Sequence, residues 1–187
     1  MIEFFNYLNS IQPLTAEATV AVLKASKTKA LYRGQVWLQE GAVCDRLTFV
    51  VKGLMKSYFE TDTKEVIINF ARENEFILSA ESYFNAVPSK YIIRAIEQTV
   101  VVYIQRSELD YLLHRFADLN KHYLMIAQEQ LRALEKHAAL LLLPPKERPD
   151  ALMREHVWMM QGRLTDRSLY GYLGLGCNGL GKWRNEK

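Results

Sequence analysis

The sequence has little cysteine, and this excludes several kinds of site. Its two cysteines, Cys44 and Cys177, lie far apart in the chain. They predict neither a disulfide framework nor a cysteine-ligated metal site. An iron–sulfur cluster, which generally takes four cysteines, is not expected either.

Histidine is missing altogether from residues 1–113. Metal-dependent enzymes built on a jelly-roll sheet generally need histidine ligands on inward-facing strands. The four histidines of the chain lie on predicted helices, where we expect them to be solvated or packed: His114, His122, His137 and His156. A nucleophile elbow, a P-loop and a dinucleotide fingerprint are also absent from the sequence. We therefore expect a protein that is not an enzyme and uses no metal or other cofactor.

Long hydrophobic runs are missing as well. The longest, Ala138 to Leu143, has six residues, whereas about 20 are needed to span a bilayer. The N-terminus carries Glu3 and no basic run, so it does not have the pattern of a signal peptide. These features predict a cytoplasmic protein without a membrane partner.

An excess of charge of either sign is missing from most of the chain. Residues 1–143 contain 16 Lys and Arg and 16 Asp and Glu, whereas residues 144–187 contain 8 and 5. The whole net charge of +3 therefore lies in the last segment. A basic end on a neutral body suits contact with nucleic acid, although three charges also fall within ordinary variation.

Short β-branched and aromatic runs, cut by turn residues about every ten positions, occupy the chain from Lys29 to Arg106. This spacing predicts an antiparallel sandwich or jelly roll. A helix over residues 14–26, with Thr15 as its N-cap, is predicted before it. The predicted strands are Ala30–Tyr32, Val36–Gln39, Leu47–Val51, Leu54–Phe59, Val66–Phe70, Tyr91–Ile96 and Val100–Ile104.

The periodicity becomes helical after Arg106. Ser107 is the predicted cap of a first helix, and a longer one is predicted from Asp118 to Leu143, ending at Pro144. Apolar residues of the longer helix recur at alternating spacings of three and four: Leu124, Ala127, Leu131, Leu134, Ala138 and Leu141. Such a seam favours a homodimer through this helix. The alternative is that the helix packs against its own sheet.

Three short helices are predicted in the basic end. They cover Arg148–Met160, Thr165–Tyr172 and Asn178–Lys187. Thr165 is a good N-cap for the second. Leu173-Gly174-Leu175 supplies the tight turn that a helix-turn-helix needs.

These features together resemble the Crp/Fnr family of transcription regulators. The resemblance rests on glycines at three strand turns (Gly34, Gly41 and Gly53), on Asn74 at a fourth turn, and on the segment from Leu164 to Arg184. It implies an α+β fold: an antiparallel β-roll (a double-stranded β-helix or jelly roll) over residues 1–117, a dimerisation helix over 118–143 and a small helical helix-turn-helix domain over 144–187. It also implies a regulator that binds double-stranded DNA as a homodimer.

The family's phosphate-binding cassette aligns with the segment from Phe76 to Ala95, but the ligand residues are changed. Cyclic-nucleotide binders of the family have a Glu where this chain has Ser79, and an Arg-Ser pair where it has Ser89-Lys90. Because a lysine does not replace the bidentate arginine fork, we expect no tight binding of cyclic AMP. Any unknown small-molecule effector would contact Ser79, Glu81, Ser82, Ser89, Lys90, Tyr91 and Arg94. The alternative is that these are ordinary loop and strand residues.

The resemblance also implies the residues that would contact DNA: Thr165, Arg167, Cys177, Asn178, Lys182, Arg184 and Lys187. Cys177 stands where many members of the family have an arginine. Gly179 and Gly181 lie within the predicted recognition helix, and each costs about 1 kcal/mol of helix stability relative to alanine. A ligand- or protein-binding sensor module with a degenerate DNA-binding end is therefore the alternative function.

Overall fold

The structure is a computed structural model, and it describes residues 1–175 apart from the side chain of Met160. Its helices are α1 (Ile2–Ile11), α2 (Ala16–Ala25), α3 (Ala80–Asn85), α4 (Arg106–Arg115), α5 (Asp118–Leu142), α6 (Arg148–Glu155) and α7 (Asp166–Leu173), with a 3-10 helix at Val157–Met160. Its strands are β1 (Lys27–Leu31), β2 (Val36–Leu38), β3 (Arg46–Lys52), β4 (Met55–Glu60), β5 (Glu65–Ala71), β6 (Phe76–Ile77), β7 (Ile92–Ala95) and β8 (Thr99–Gln105).

The strands form two four-stranded sheets, with the orders β1-β8-β3-β6 and β2-β7-β4-β5. Pairing is antiparallel along β1–β8, β8–β3, β3–β6 and β2–β7. The α+β fold class and its antiparallel β-roll are thus confirmed, and each predicted strand is present with shifted ends. The predictions missed the short elements β6 and α3 and the N-terminal helix α1.

Two turn positions show why their residue types are needed. Gly53 has φ +101°, and a Cβ there would lie 2.5 Å from Thr99 Oγ1 and 2.7 Å from the Gln98 carbonyl oxygen. Asn74 adopts φ +66° without being a glycine. Asparagine is one of the few other residue types that tolerate the left-handed region, so the fourth turn keeps its conformation.

The chain separates into two compact units. The first contains residues 1–57 and 70–131, and the second contains residues 58–69 and 132–175 of the described chain. In the first unit α1, which the sequence analysis did not predict, packs its buried Phe4 and Leu8 onto the sheet. The Phe4 ring lies 5.3 Å from that of Phe49, which in turn lies 5.1 Å from Phe76.

Two polar contacts hold α1 to the first half of α5. The buried His122 ring places Nε2 3.0 Å from the Leu8 carbonyl oxygen and 2.9 Å from that of Gln12, at the end of α1. The Tyr7 hydroxyl donates a hydrogen bond of 2.5 Å to Glu129. Burial, reinforced by this carboxylate, raises the pKa of Tyr7.

Three helix predictions have clear outcomes. The helix predicted over residues 14–26 is present, and Thr15 Oγ1 accepts a hydrogen bond from the Ala18 N–H. The prediction of Ser107 as a cap is wrong: β8 runs directly into α4, so Gln105 takes the cap position and Ser107 lies inside the first turn. The single helix predicted over Arg148–Met160 is also wrong, because the backbone of His156 (φ −135°, ψ 55°) is not helical and separates α6 from the 3-10 helix.

Candidate functional site

The cassette segment comprises β6, α3 and β7 in the first unit. Ser79 occupies the N-cap position of α3, and Ala86 ends the helix in a left-handed conformation with φ +54°. Ser79, Ser82 and Ser89 are all buried. The cassette therefore carries three hydroxyl groups in its interior, each of which needs a hydrogen-bonding partner.

The protein itself supplies these partners. The Ser82 hydroxyl donates to the Val87 carbonyl oxygen at 2.6 Å and accepts from the Cys44 N–H at 2.8 Å. The Ser89 hydroxyl lies 2.9 Å from the Ser79 hydroxyl and 2.8 Å from the Tyr91 carbonyl oxygen, and it accepts from the Tyr91 N–H at 3.0 Å. We call these contacts the serine network; they close the cassette loop on itself.

The charged residues of the predicted pocket lie elsewhere on the cassette. Lys90 and Glu81 are exposed, and their charged groups are 3.3 Å apart. Tyr91 is half-buried, as is Arg94, which pairs in register with Val36 across β7 and β2. The structure thus brings Ser79 together with Ser89, and Glu81 together with Lys90.

The long helix α5 presents the predicted apolar seam outward. Leu124, Leu131, Leu134 and Leu141 are exposed in the single chain, Ala138 is exposed and Ala127 is half-buried. A different set of α5 side chains faces the interior of each unit: Leu119, His122 and Ile126 in the first and His137 in the second. The helix therefore has a buried face and a leucine-rich face, and residues 1–175 leave the leucines of the second face exposed.

Helix α7 has the predicted length, with both ends one residue later than predicted, and Thr165 is its N-cap as predicted. Thr165 Oγ1 accepts a hydrogen bond of 3.2 Å from the Ser168 N–H, and Gly174 ends the helix with φ +62°. Thr165 and Arg167 are exposed. The other predicted DNA contacts, Cys177, Asn178, Lys182, Arg184 and Lys187, lie outside the described residues, as does the predicted helix Asn178–Lys187.

A buried histidine, which the sequence analysis did not assign to any role, supports α7. The His137 ring stacks on Tyr172 with 3.9 Å between ring centroids and 5° between planes, and its Nε2 lies 2.7 Å from the Tyr172 carbonyl oxygen. Burial lowers the pKa of His137, against the opposing effect of its hydrogen bonds to the Tyr172 and Ile68 backbone. Hydrophobic periodicity could not find this residue, because histidine counts as polar in such patterns.

Helix α7 also lies very close to the β4–β5 hairpin, within the second unit. A Cβ added to Gly171 would lie 2.6 Å from the Glu65 carbonyl oxygen and 3.3 Å from Ile67 Cγ1. Glycine at this position lets the helix backbone approach the strand backbone, and any larger residue would force them apart.

Clusters of metal ligands and membrane-spanning helices are both absent from residues 1–175. These residues contain no cluster of three or more His, Cys, Asp or Glu side chains that could hold a metal ion. Over the same residues, every helix is too short or too polar to cross a membrane.

Comparisons with known proteins agree with this architecture. Residues 28–116 match the cyclic nucleotide-binding domain family. FixK2 from Bradyrhizobium japonicum has a similar structure, with a TM-score of 0.73 at 20% identity over 86% of this chain and 83% of that one. The c-di-GMP responsive global regulator CLP from Xanthomonas campestris gives 0.72 at 16% identity, covering 92% and 91% of the two chains.

A third similar structure is that of a Eubacterium rectale protein described as a transcriptional regulator of the Crp/Fnr family. Its TM-score is 0.74 at 14% identity over 97% of this chain and 87% of that one. No curated protein sequence matches the chain. Because the sequence identities are this low, the comparisons with solved structures show that the chain has the same fold.

Proposed function

We propose that this chain, whose residues 28–116 form a cyclic nucleotide-binding domain within a Crp/Fnr fold, is a DNA-binding transcription regulator that acts as a homodimer in the cytoplasm. The observation that carries the proposal is the order of elements in one chain. A β-roll is followed by a 25-residue helix with an exposed leucine face, and then by a capped helix that ends at a left-handed glycine.

The dimer is the first step of the proposal. Leucines and alanines at alternating spacings of three and four along α5 form a stripe, with all of its leucines exposed, that a second copy of the same helix can cover. Large apolar side chains that form one contiguous stripe are typical of an interaction surface, whereas single exposed ones need no explanation. A two-fold axis along α5 would place the two basic ends of the dimer for simultaneous contact with DNA.

The DNA contact is the second step. In the proposal helix α7 and the turn at Gly174 are the first helix and turn of a helix-turn-helix, and residues 178–187 are its recognition helix; the Thr165 cap and the left-handed Gly174 support this. In the proposal Asn178 reads adenine in the major groove. The basic side chains of Arg167, Lys182, Arg184 and Lys187, with the Thr165 hydroxyl, contact phosphates.

The effector is the third step, and the proposal excludes cyclic AMP as a tight ligand. Ser89 and Ser79 already satisfy each other and the Tyr91 backbone, so a cyclic phosphate would have to break these contacts. The exposed Lys90 offers a single point charge, and the Glu81 carboxylate 3.3 Å away would repel a phosphate. Any effector of this domain therefore has different chemistry.

A DNA-binding titration tests the function. The purified full-length protein is titrated onto pseudo-palindromic fragments from its own upstream region, against salt and nonspecific competitor. We expect one or more fragments to bind roughly a thousandfold more tightly than nonspecific DNA. Binding that is equal for all sequences and disappears uniformly with salt would favour the alternative, a ligand- or protein-binding sensor module with a degenerate DNA-binding end.

A further inference from the structure

One guanidinium group in the second unit contacts the ends of two helices. Arg148, the first residue of α6, donates from Nε to the Leu143 carbonyl oxygen at 2.9 Å and from Nη2 to that of Leu141 at 2.9 Å. Its Nη1 donates to the carbonyl oxygen of Leu173, the last residue of α7, at 2.8 Å. We call this arrangement the Arg148 clamp.

The local sequence explains why both helix ends need such a donor. The last carbonyls of a helix have no partner within it and carry partial negative charge. After α5 the chain continues with Pro144 and Pro145, which have no N–H to offer. After α7 the N–H groups of Gly174 and Leu175 both go to the Tyr170 carbonyl. The arginine side chain therefore supplies the donors that the backbone at these ends does not.

The clamp is also tightly packed. A Cβ added to Gly174 would lie 3.1 Å from Arg148 Nη1 and 3.3 Å from Leu141 Cδ2. Since a guanidinium is planar and rigid, three simultaneous hydrogen bonds from it fix the direction of each helix end as well as the distance between them. A lysine at this position would place a single ammonium on a flexible stem, without the planar fork that fixes direction.

We propose that Arg148 is a positioning residue that sets α7, and the DNA-reading segment after Gly174, relative to the dimerisation helix α5. The role in DNA reading rests on the proposed function above. The clamp couples the position of α7 to that of the end of α5. In a dimer joined through α5, this coupling gives the two DNA-binding ends a defined separation.

Hydrogen exchange of the full-length protein tests the clamp without DNA. In R148Q we expect amides of residues 166–175 and of the last turn of α5 to exchange roughly tenfold faster or more, because both helix ends lose the charged donor that holds their last carbonyls and open more often. Strands of the β-roll should exchange as in the wild type. The matched control is R154Q, which removes the same charge from the same helix: Arg154 is exposed and makes no hydrogen bond or ion pair within residues 1–175. Equal exchange in R148Q and the wild type would overturn the clamp.

Operator spacing tests the positioning role. Binding is measured on sites whose half-site separation is varied by one and two base pairs, for the wild type, R148K and R154Q. A merely less stable protein would bind every spacing more weakly by the same factor. We expect instead that R148K, which keeps the charge but not the fork, discriminates between spacings roughly tenfold less well than the wild type, while R154Q discriminates equally well.

The outcomes of the two experiments separate the two proposals. Unchanged discrimination in R148K would overturn the positioning role even if R148K binds more weakly. If the wild type binds no fragment specifically, the proposed function fails, and the exchange experiment still decides whether the clamp holds α7.

Discussion

Replacing Leu131 by alanine should weaken the proposed dimer without unfolding the chain. Leu131 is 57% exposed in the single chain, so its truncation costs little within the fold. Full burial of a leucine side chain is worth about 1.5–3 kcal/mol, so covering the exposed part against a partner would contribute about 1–1.5 kcal/mol. A dimer contains two copies, which gives about 2–3 kcal/mol, or a roughly 30- to 150-fold increase in the dimer dissociation constant.

Sedimentation velocity over a range of protein concentrations measures this change directly. The matched control is L23A, since Leu23 on α2 is 48% exposed but lies outside the seam. The control should dissociate at the same concentration as the wild type. The reasoning is refuted if L131A and the wild type have the same dissociation constant, or if the wild type is monomeric at every concentration.

Three further predictions concern pH, packing and the cassette. Because burial holds the pKa of His137 below its ordinary value of 6.5, the unfolded chain binds a proton there first as the pH falls. The free energy of unfolding should therefore drop by up to about 1.4 kcal/mol per pH unit from pH 6.5 down to the lowered pKa. Urea titrations at several pH values measure this drop, and the H137Q variant should lack the part that His137 contributes. The G171A variant should lose about 1–2 kcal/mol, since the 2.6 Å approach to the Glu65 carbonyl outweighs the better helix propensity of alanine; a thermal melt equal to that of the wild type would contradict this. Calorimetric titration with cyclic AMP should give no binding heat at micromolar concentrations, and a clear isotherm would show that the Glu81–Lys90 pair yields to a phosphate.

The strands of the β-roll could be predicted from the sequence because their pattern is local. Val100 to Ile104 is β-branched and aromatic over its whole length, and turn residues such as Gly53 bound the runs. Helix α1 could not be predicted in the same way. Only Phe4 and Leu8 of its ten residues are buried, and its end is held by His122, more than 100 residues away in the chain. Contacts of this separation leave no periodic signal.

Helix α5 shows what periodicity reveals and what it hides. The seam of Leu124 and Leu131 stood out in the sequence because leucines are counted as apolar, and the structure leaves it exposed. The buried side of the helix includes His122 and His137, which hydrophobicity scales count as polar. The sequence analysis therefore identified the leucines that the structure leaves exposed and missed the histidines that attach the helix to the rest of its own chain. A helix whose exposed side has a clearer apolar repeat than its buried side is the pattern expected where the helix contacts a partner as well as its own chain.

The serine network predicts that the cyclic nucleotide-binding domain is stable without a bound nucleotide. A site that has lost its charged ligand groups still contains polar atoms, and a buried hydroxyl without a partner costs about 1–3 kcal/mol. Ser79, Ser82 and Ser89 avoid this cost because each has a partner within the protein. These partners could not be read from the sequence, since the Cys44 N–H comes from a distant loop. A ligand that displaced the serine network would have to replace these hydrogen bonds before it gained any affinity. An effector that leaves the three serines in place avoids this cost, so such molecules are the better candidates.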